Sequence, residues 1–198
     1  MSDTGLGPPA KKPSLFLRQV IEWIVVIAVA LIVALLVRLF LLQQFYISGP
    51  SMETTMFSDD RVLVSKLAYE VGEIDRGDVV VFDRATMNGN QIEHDDLIKR
   101  VIGLGGESIE IRDCVIYIDG TKLEEPYLPS RDKSLTNLSD RCGVVNMDAI
   151  TIEDDEVFLV GDNRPQSFDS RMFGAIKKDF VIGQAFVIIW PPNSWSRL

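Results

Sequence analysis

The chain has 198 residues, 46% of them hydrophobic, with 20 Lys and Arg against 29 Asp and Glu, two Cys and a single His. That is the length of one domain, or of one domain with an appendage, and its cysteine and histidine counts exclude a His-rich or Cys-rich zinc site within one chain. A net charge of −9 without clustered Lys and Arg argues against nucleic acid as a partner, and any His-based triad would have to run through His94.

Residues 1–19 read as a cytoplasmic tail, disordered over Met1 to Ser14, where Gly5, Gly7, Pro8, Pro9 and Pro13 interrupt any periodic pattern. Residues 20–42 then hold 21 apolar side chains, leaving roughly 40% apolar content for the rest of the chain, an ordinary globular share. From Trp23 to Leu42 the run is broken only by Arg38, and at ~1.5 Å per residue it is ~30 Å long, the thickness of a bilayer core. Gln43-Gln44-Phe45-Tyr46 offers bulky residues where a signal-peptide cut needs small ones, so the run reads as a retained transmembrane anchor. Lys11, Lys12 and Arg18 precede it, which places the N-terminus in the cytoplasm and residues 43–198 outside. Charge divides along the same boundary, +2 before residue 43 and −11 after it.

The exterior part is mainly β. Short β-branched or alternating runs at Arg61–Val64, Asp78–Phe82, Leu97–Ile102, Ser108–Arg112, Val115–Ile118, Val157–Val160 and Val181–Trp190 are bounded by Gly, Asp or Pro. Asp119-Gly120 is a two-residue hairpin signal, because both positions tolerate positive φ. Residues 84–96 and 124–149 are polar and read as surface loops or a small inserted cap. His94 lies in the first of them, within Glu93-His94-Asp95-Asp96, and reads as a solvated, non-catalytic residue. Cys114 and Cys142 are 28 positions apart in a compartment that permits oxidation; they are either a disulfide or two buried thiols.

Three segments are more specific than strand patterning requires. Ile47 to Met56, containing Gly49-Pro50-Ser51-Met52, follows the apolar run by five residues and alone would be an ordinary turn. Lys99 sits in the apolar strand Leu97–Ile102, facing either solvent or the interior, with solvent the commoner outcome for a lysine. Gly161 to Arg171 is a dense polar loop after a strand. In this order behind an N-terminal anchor, the segments resemble the bacterial type I signal peptidases, membrane-bound serine proteases. The family's Ser-Met-x-Pro-Thr box is matched by Ser51 to Thr55 with Thr54 for proline, and its Gly-Asp-hydrophobic strand by Gly77 to Phe82. Its Lys-Arg-Val-Ile-Gly-Leu-Pro-Gly box is matched by Lys99 to Gly106 with Gly105 for proline, and its Gly-Asp-Asn-Arg-x-x-Ser-x-Asp-Ser-Arg box in full by Gly161 to Arg171. The two lost prolines read as a change in loop stiffness that removes no reacting group.

The resemblance implies a single transmembrane helix followed by a coiled, barrel-like β catalytic domain, no cofactor and no metal. It also implies cleavage of signal peptides from exported preproteins after small residues at −3 and −1. Carried over by position, Ser51 is the nucleophile, Lys99 the general base and Ser167 the hydroxyl that hydrogen-bonds the lysine amine. Asp169 and Arg171 form a bracing ion pair, with Asp162 and Asn163 in supporting positions. Family members carry serine or glycine two residues before the nucleophile. Gly49 therefore leaves the oxyanion chiefly to backbone N–H groups, including that of Ser51. Membrane lipid and the secretion machinery follow as candidate partners, with Phe45, Tyr46, Met56, Phe57, Trp190 and Trp195 either seated at the membrane surface or part of the core. Two other readings share the residues: a Ser-Lys self-cleaving regulator, which would carry a DNA-binding module, and an inactive anchored β-domain that binds exported peptides or scaffolds a membrane complex.

Overall fold

The computed structural model describes residues 15–88, 91–129 and 137–198. The expected tail over Met1 to Ser14, the pair Gly89-Asn90 and residues 130–136 of the expected second loop lie outside the described residues. The chain divides after Phe40 into two compact units.

The first unit holds α1 (Leu15–Phe40), 26 residues with no acidic residue in its first turn. Its segment Arg18–Leu35 is long and apolar enough to cross a membrane, and every side chain described along it is exposed. A helix apolar on all sides and covered by no protein matches a bilayer as its solvent. Leu42, expected as the end of this anchor, instead opens the first strand.

The second unit contains two antiparallel sheets. In chain order its elements are β1 (Leu42–Tyr46), β2 (Arg61–Ser65), α2 (Ala68–Val71), β3 (Val79–Asn88), β4 (Gln91–Leu104), β5 (Ser108–Arg112), β6 (Val115–Ile118), β7 (Thr121–Lys122), α3 (Leu138–Cys142), β8 (Met147–Thr151), β9 (Glu156–Val160), α4 (Ser170–Phe173), β10 (Ile176–Lys177), β11 (Val181–Trp190) and β12 (Ser196–Arg197). The larger sheet runs β1-β2-β11-β3-β4-β9-β10, with β12 also on β11, and the smaller runs β7-β6-β5-β8. β2, β5 and β6 alternate buried and half-exposed residues, as strands covered on one face must. β9 is buried at four consecutive positions, which explains its unbroken Val157-Phe158-Leu159-Val160 run. Asp119 and Gly120 both take positive φ and close the β6–β7 hairpin as the dipeptide predicts.

Three apolar clusters fill the sheets. One gathers Ile47, Met52, Met56, Val62, Val64, Val79, Val81, Ala185 and Ile188; another gathers Ile102, Ile109, Ile111, Ile116, Ile118, Ile152, Phe158 and Val160 from both sheets; the third gathers Val80, Phe82, Val101, Val157 and Leu159. Met56 is fully buried and belongs to the core, unlike the exposed Tyr46, Phe57, Trp190 and Trp195. Breaks of register in the β11 pairings with β2 and β3, and in the β4–β9 pairing, mark bulges that bend the larger sheet.

Residues 84–96 differ from the loop expected of them. β3 and β4 stay in continuous register from Val79↔Arg100 to Asn88↔Gln91, so this segment is the outer half of a long hairpin. Its residues from Gln91 to Asp96 are exposed, so the strand lacks the apolar alternation that marks a half-buried one. His94 is exposed there, with Nδ1 2.7 Å from an Asp83 carboxylate oxygen. The other expected loop, 124–149, contains α3 and the start of β8. Cys142 at the end of α3 is bonded to Cys114, a disulfide that fastens this segment to the β5–β6 turn.

Candidate active site

The site forms where four chain segments meet: the turn after β1, strand β4, the loop after β9 and the start of α4. In the first of these, the backbone coils between Pro50 and Met56, with Glu53 N–H donating to Pro50 O at 3.0 Å and Met56 N–H to Met52 O at 2.9 Å. Met52 and Met56 bury their side chains in the first cluster. Ser51 is thereby held half-buried at the rim while the residue after it anchors the turn.

Lys99, on β4 opposite Val80, is only 3% exposed, so the solvent-facing alternative is overturned. Its Nζ donates to Ser51 Oγ at 2.8 Å and to Ile98 O at 2.8 Å. Burial lowers this amine from 10.5 to about 8, against the opposing pull of Asp169 and Asp162. A neutral amine is thus accessible in mildly alkaline water, and it lies beside the one hydroxyl that it could deprotonate.

Arg100, the next residue, is also buried, at 5% exposure. Its guanidinium donates from Nε and Nη2 to the two oxygens of Asp162 at 2.9 and 2.7 Å, and from Nη1 to Gly77 O at 2.7 Å. The same Asp162 accepts from the Thr55 hydroxyl, and its N–H approaches Met52 Sδ at 3.5 Å, so it ties the Ser51 turn to β4. Asn163 supports that turn three times, its N–H donating to Ser51 O at 3.1 Å and its side-chain amide to Pro50 O at 3.0 Å and to a Glu53 carboxylate oxygen at 3.4 Å.

Asp169 caps α4 and is fully buried. Arg171 engages it from Nε and Nη2, both at 2.8 Å, and Gly161 N–H donates to it at 3.0 Å. Burial alone would push this carboxyl up, but Arg171, with Ser167 and Gly161, holds it below the usual carboxylate range. Asp169 is therefore committed to Arg171 and stays ionised without touching Lys99. Ser167 departs from its expected role. Its buried hydroxyl lies on the Asp169 side and makes no hydrogen bond to Lys99, so the amine's partners are Ser51 and the Ile98 carbonyl instead. Gly49, two residues before Ser51, presents no side-chain donor.

The two positions that depart from the family boxes are more than softened loops. Thr54 has φ +89°, which a proline ring fixed near −65° cannot adopt. Gly105 lies so close to the Asp154 backbone that a Cβ would come within 2.4 Å of its carbonyl oxygen. A β-branched residue at positive φ stores about 1–3 kcal/mol of strain. Thr54→Gly is accordingly expected to raise stability by about 1 kcal/mol and Thr54→Pro to lower it, as read from urea midpoints.

A cleft of about 90 Å³ opens beside the pair, walled by Phe45, Ile47, Ser51, Val81, Ile98 and Lys99 among others. Apolar side chains share its walls with the polar Ser48, Ser51, Asp96 and Lys99, and its volume suits short side chains.

Comparison with known proteins gives the chain's family. The family model described as signal peptidase, peptidase S26, matches residues 20–190. Signal peptidase I S of Bacillus subtilis (strain 168) is 34% identical over 186 residues, covering 91% of this chain and 94% of that one. Signal peptidase I of Bacillus licheniformis is 35% identical over 187 residues, covering 92% of each. Among solved structures, a signal peptidase I from Enterococcus faecalis V583 is 31% identical with a TM-score of 0.41, covering 58% of this chain and 97% of that one. The family match and the two Bacillus relatives define a serine endopeptidase, and its N-terminal helix is long and apolar enough to cross a membrane. The chain belongs to the signal peptidase family, peptidase S26.

Proposed function

We propose that this endopeptidase removes signal peptides from exported preproteins, with Ser51 as nucleophile and Lys99 as general base. The observation that carries the reading is the buried Lys99 amine 2.8 Å from Ser51 Oγ, its pKa lowered by that burial to about 8. The neutral amine takes the hydroxyl proton as Oγ attacks the scissile carbonyl, and returns it to the leaving amine as the acyl-enzyme forms. Water, activated by the same amine, then releases the acyl group. The backbone N–H of Ser51 contributes to oxyanion binding, since Gly49 supplies no hydroxyl there. Asp162, Asn163, Asp169 and Arg171 hold the two reacting residues in place and take no proton.

The small cleft beside Ser51 favours short side chains at −3 and −1 by its volume. α1 anchors the enzyme with its N-terminus in the cytoplasm and the β unit outside, so that substrate and enzyme share one membrane and their effective concentration rises. The exposed Tyr46, Phe57, Trp190 and Trp195 suit contact with lipid at the interface.

The test is cleavage of a preprotein carrying an Ala-x-Ala site by the full chain in detergent micelles, with the products weighed by mass spectrometry. One cut after the second Ala is expected, blocked by Phe at −1 and absent in Ser51→Ala. Cleavage that continues in Ser51→Ala, or that ignores the −1 residue, overturns the proposal.

A further inference from the structure

The segment Glu124-Glu125-Pro126-Tyr127, which follows β7, belongs to none of the motifs that mark the site and reads from sequence as surface loop. In the fold it is turned inward. Glu125 and Arg164 form an ion pair in which both side chains are at least nine-tenths buried, at 8% and 9% exposure. Arg164 Nη1 donates to Glu125 Oε2 at 3.2 Å and Nη2 to Oε1, while the Tyr127 hydroxyl donates to the same Oε1 at 2.9 Å. The Tyr127 ring lies 4.1 Å from the centre of the Arg100 guanidinium. Three consecutive residues therefore hold two buried arginines. Pro126 between them restricts the backbone at Glu125 to extended conformations, which keeps the segment in one shape.

Each arginine leads to the reacting pair. Arg164 Nε donates to Gly161 O at 3.0 Å, and Gly161 sits so close to Ser51 that a Cβ on it would fall 2.4 Å from the Ser51 carbonyl oxygen. Arg100 adjoins Lys99 on β4 and fixes Asp162, which accepts the Thr55 hydroxyl of the nucleophile turn. One arm thus reaches Ser51 through the loop after β9, and the other reaches Lys99 through its own strand. Burial works against the charge on Arg164, but Glu125 outweighs it and holds the guanidinium above its ordinary pKa. Burial also pushes the Tyr127 phenol up, with the Glu125 charge adding to it, so the hydroxyl stays a donor. A charge so buried is costly unless its partner stays in place, which makes the position of Glu125 consequential.

We propose that Glu125 and Tyr127 are positioning residues of the peptidase, a clamp that sets the distance between Ser51 and Lys99 by fixing Arg164 and Arg100. The proposal rests on the Ser51–Lys99 reading. It predicts an effect on turnover and not on substrate binding, because neither residue lines the cleft beside Ser51.

The experiment is steady-state cleavage of the Ala-x-Ala preprotein by the full chain in micelles, with folded protein verified by thermal unfolding. Glu125→Gln keeps the shape and removes the charge; kcat is expected to fall about tenfold to a hundredfold with KM within about twofold, as a misplacement of up to ~1 Å would cause. Tyr127→Leu removes both ring and hydroxyl and is expected to lower kcat about tenfold. Tyr127→Phe keeps the ring under Arg100 and is expected to recover most of that loss. Unchanged kcat in Glu125→Gln and Tyr127→Leu overturns the clamp, as does a rise in KM alone or a loss of activity that only tracks the loss of folded protein. If Glu125→Gln does not fold, the two Tyr127 variants decide. Ser51→Ala runs alongside: its continued activity would remove the dyad and with it the clamp, whereas an inactive Ser51→Ala with unaffected clamp variants removes the clamp alone.

Discussion

Lys99→Met is expected to abolish measurable cleavage and at the same time to make the protein more stable at pH 7. The first effect follows from the role proposed for it: a positioned general base contributes about 10²- to 10⁴-fold, and no other base touches Ser51 Oγ among the described residues. The second follows from burial. An amine whose pKa falls from 10.5 in the unfolded chain to about 8 in the fold binds its proton more weakly when folded, so at pH 7 the native state carries a buried ammonium at a cost. Between pH 8 and 10.5 the unfolded chain binds more protons at this position than the folded one, so stability rises with pH across that window. The full difference is about 3 kcal/mol. A methionine of similar length removes this penalty and fills the same apolar space. Wild-type turnover should climb about tenfold per pH unit up to a midpoint near 8 and then level off, because only the neutral amine accepts the serine proton. Turnover that is flat from pH 6 to 9 would rule out Lys99 as the base. A Lys99→Met variant less stable than wild type in thermal unfolding at pH 7 would mean that the amine's hydrogen bonds outweigh its burial.

That trade is general to the site. Lys99, Arg100, Asp162, Arg164, Asp169 and Ser170 are all buried, and they occur where the loop after β9 meets β4. The cations are answered in pairs, Arg100 with Asp162, Arg164 with Glu125 and Arg171 with Asp169. Among the described buried cations, Lys99 alone lacks a carboxylate in contact. An acidic partner there would hold the ammonium, so the pairing that satisfies these three arginines is also what leaves the lysine free to titrate.

The strands were legible because their burial is regular: Arg61–Ser65 and Ser108–Arg112 alternate, and Val157–Val160 is apolar throughout. The outer half of the β3–β4 hairpin was not legible, since Asp83, Arg84, Asp95 and Asp96 form a ladder with little apolar cover and carry no periodic signal. Lys99 could be picked out by its apolar neighbours and by the family box, but whether it faced inward depends on its place opposite Val80 and on Ser51, 48 residues away. Ser167 illustrates the limit of carrying a role by position, since its hydroxyl lies against Gly161 and Asp169 and does not reach the amine. Glu125 was missed for a related reason. Its partner is 39 residues away, and in sequence a buried glutamate looks like any charge before a proline.

Gly161→Ala is expected to cost at least about a hundredfold in turnover, an effect second only to loss of Ser51 or Lys99. A Cβ at this position would lie 2.2 Å from Ser167 Oγ and 2.4 Å from Ser51 O, well inside any real contact. Gly161 cannot back away, because its N–H is held by Asp169 and its carbonyl by Arg164. The Ser167 hydroxyl can rotate, but the Ser51 carbonyl is backbone, so the peptide of Ser51, the proposed nucleophile, must yield. That carbonyl also accepts from Asn163 N–H, and shifting it drags the turn away from Lys99. Overpacking should lower stability by about 1–3 kcal/mol as well, so stability must be separated from chemistry. Gly183→Ala provides the control: its Cβ would lie 2.3 Å from Ser65 O, an equally tight backbone contact, on β11 and outside the catalytic loops. Both variants should lose melting temperature, and only Gly161→Ala should lose kcat per folded molecule. If the two fall together, the close packing of Gly161 against Ser51 serves stability and not the placement of the nucleophile.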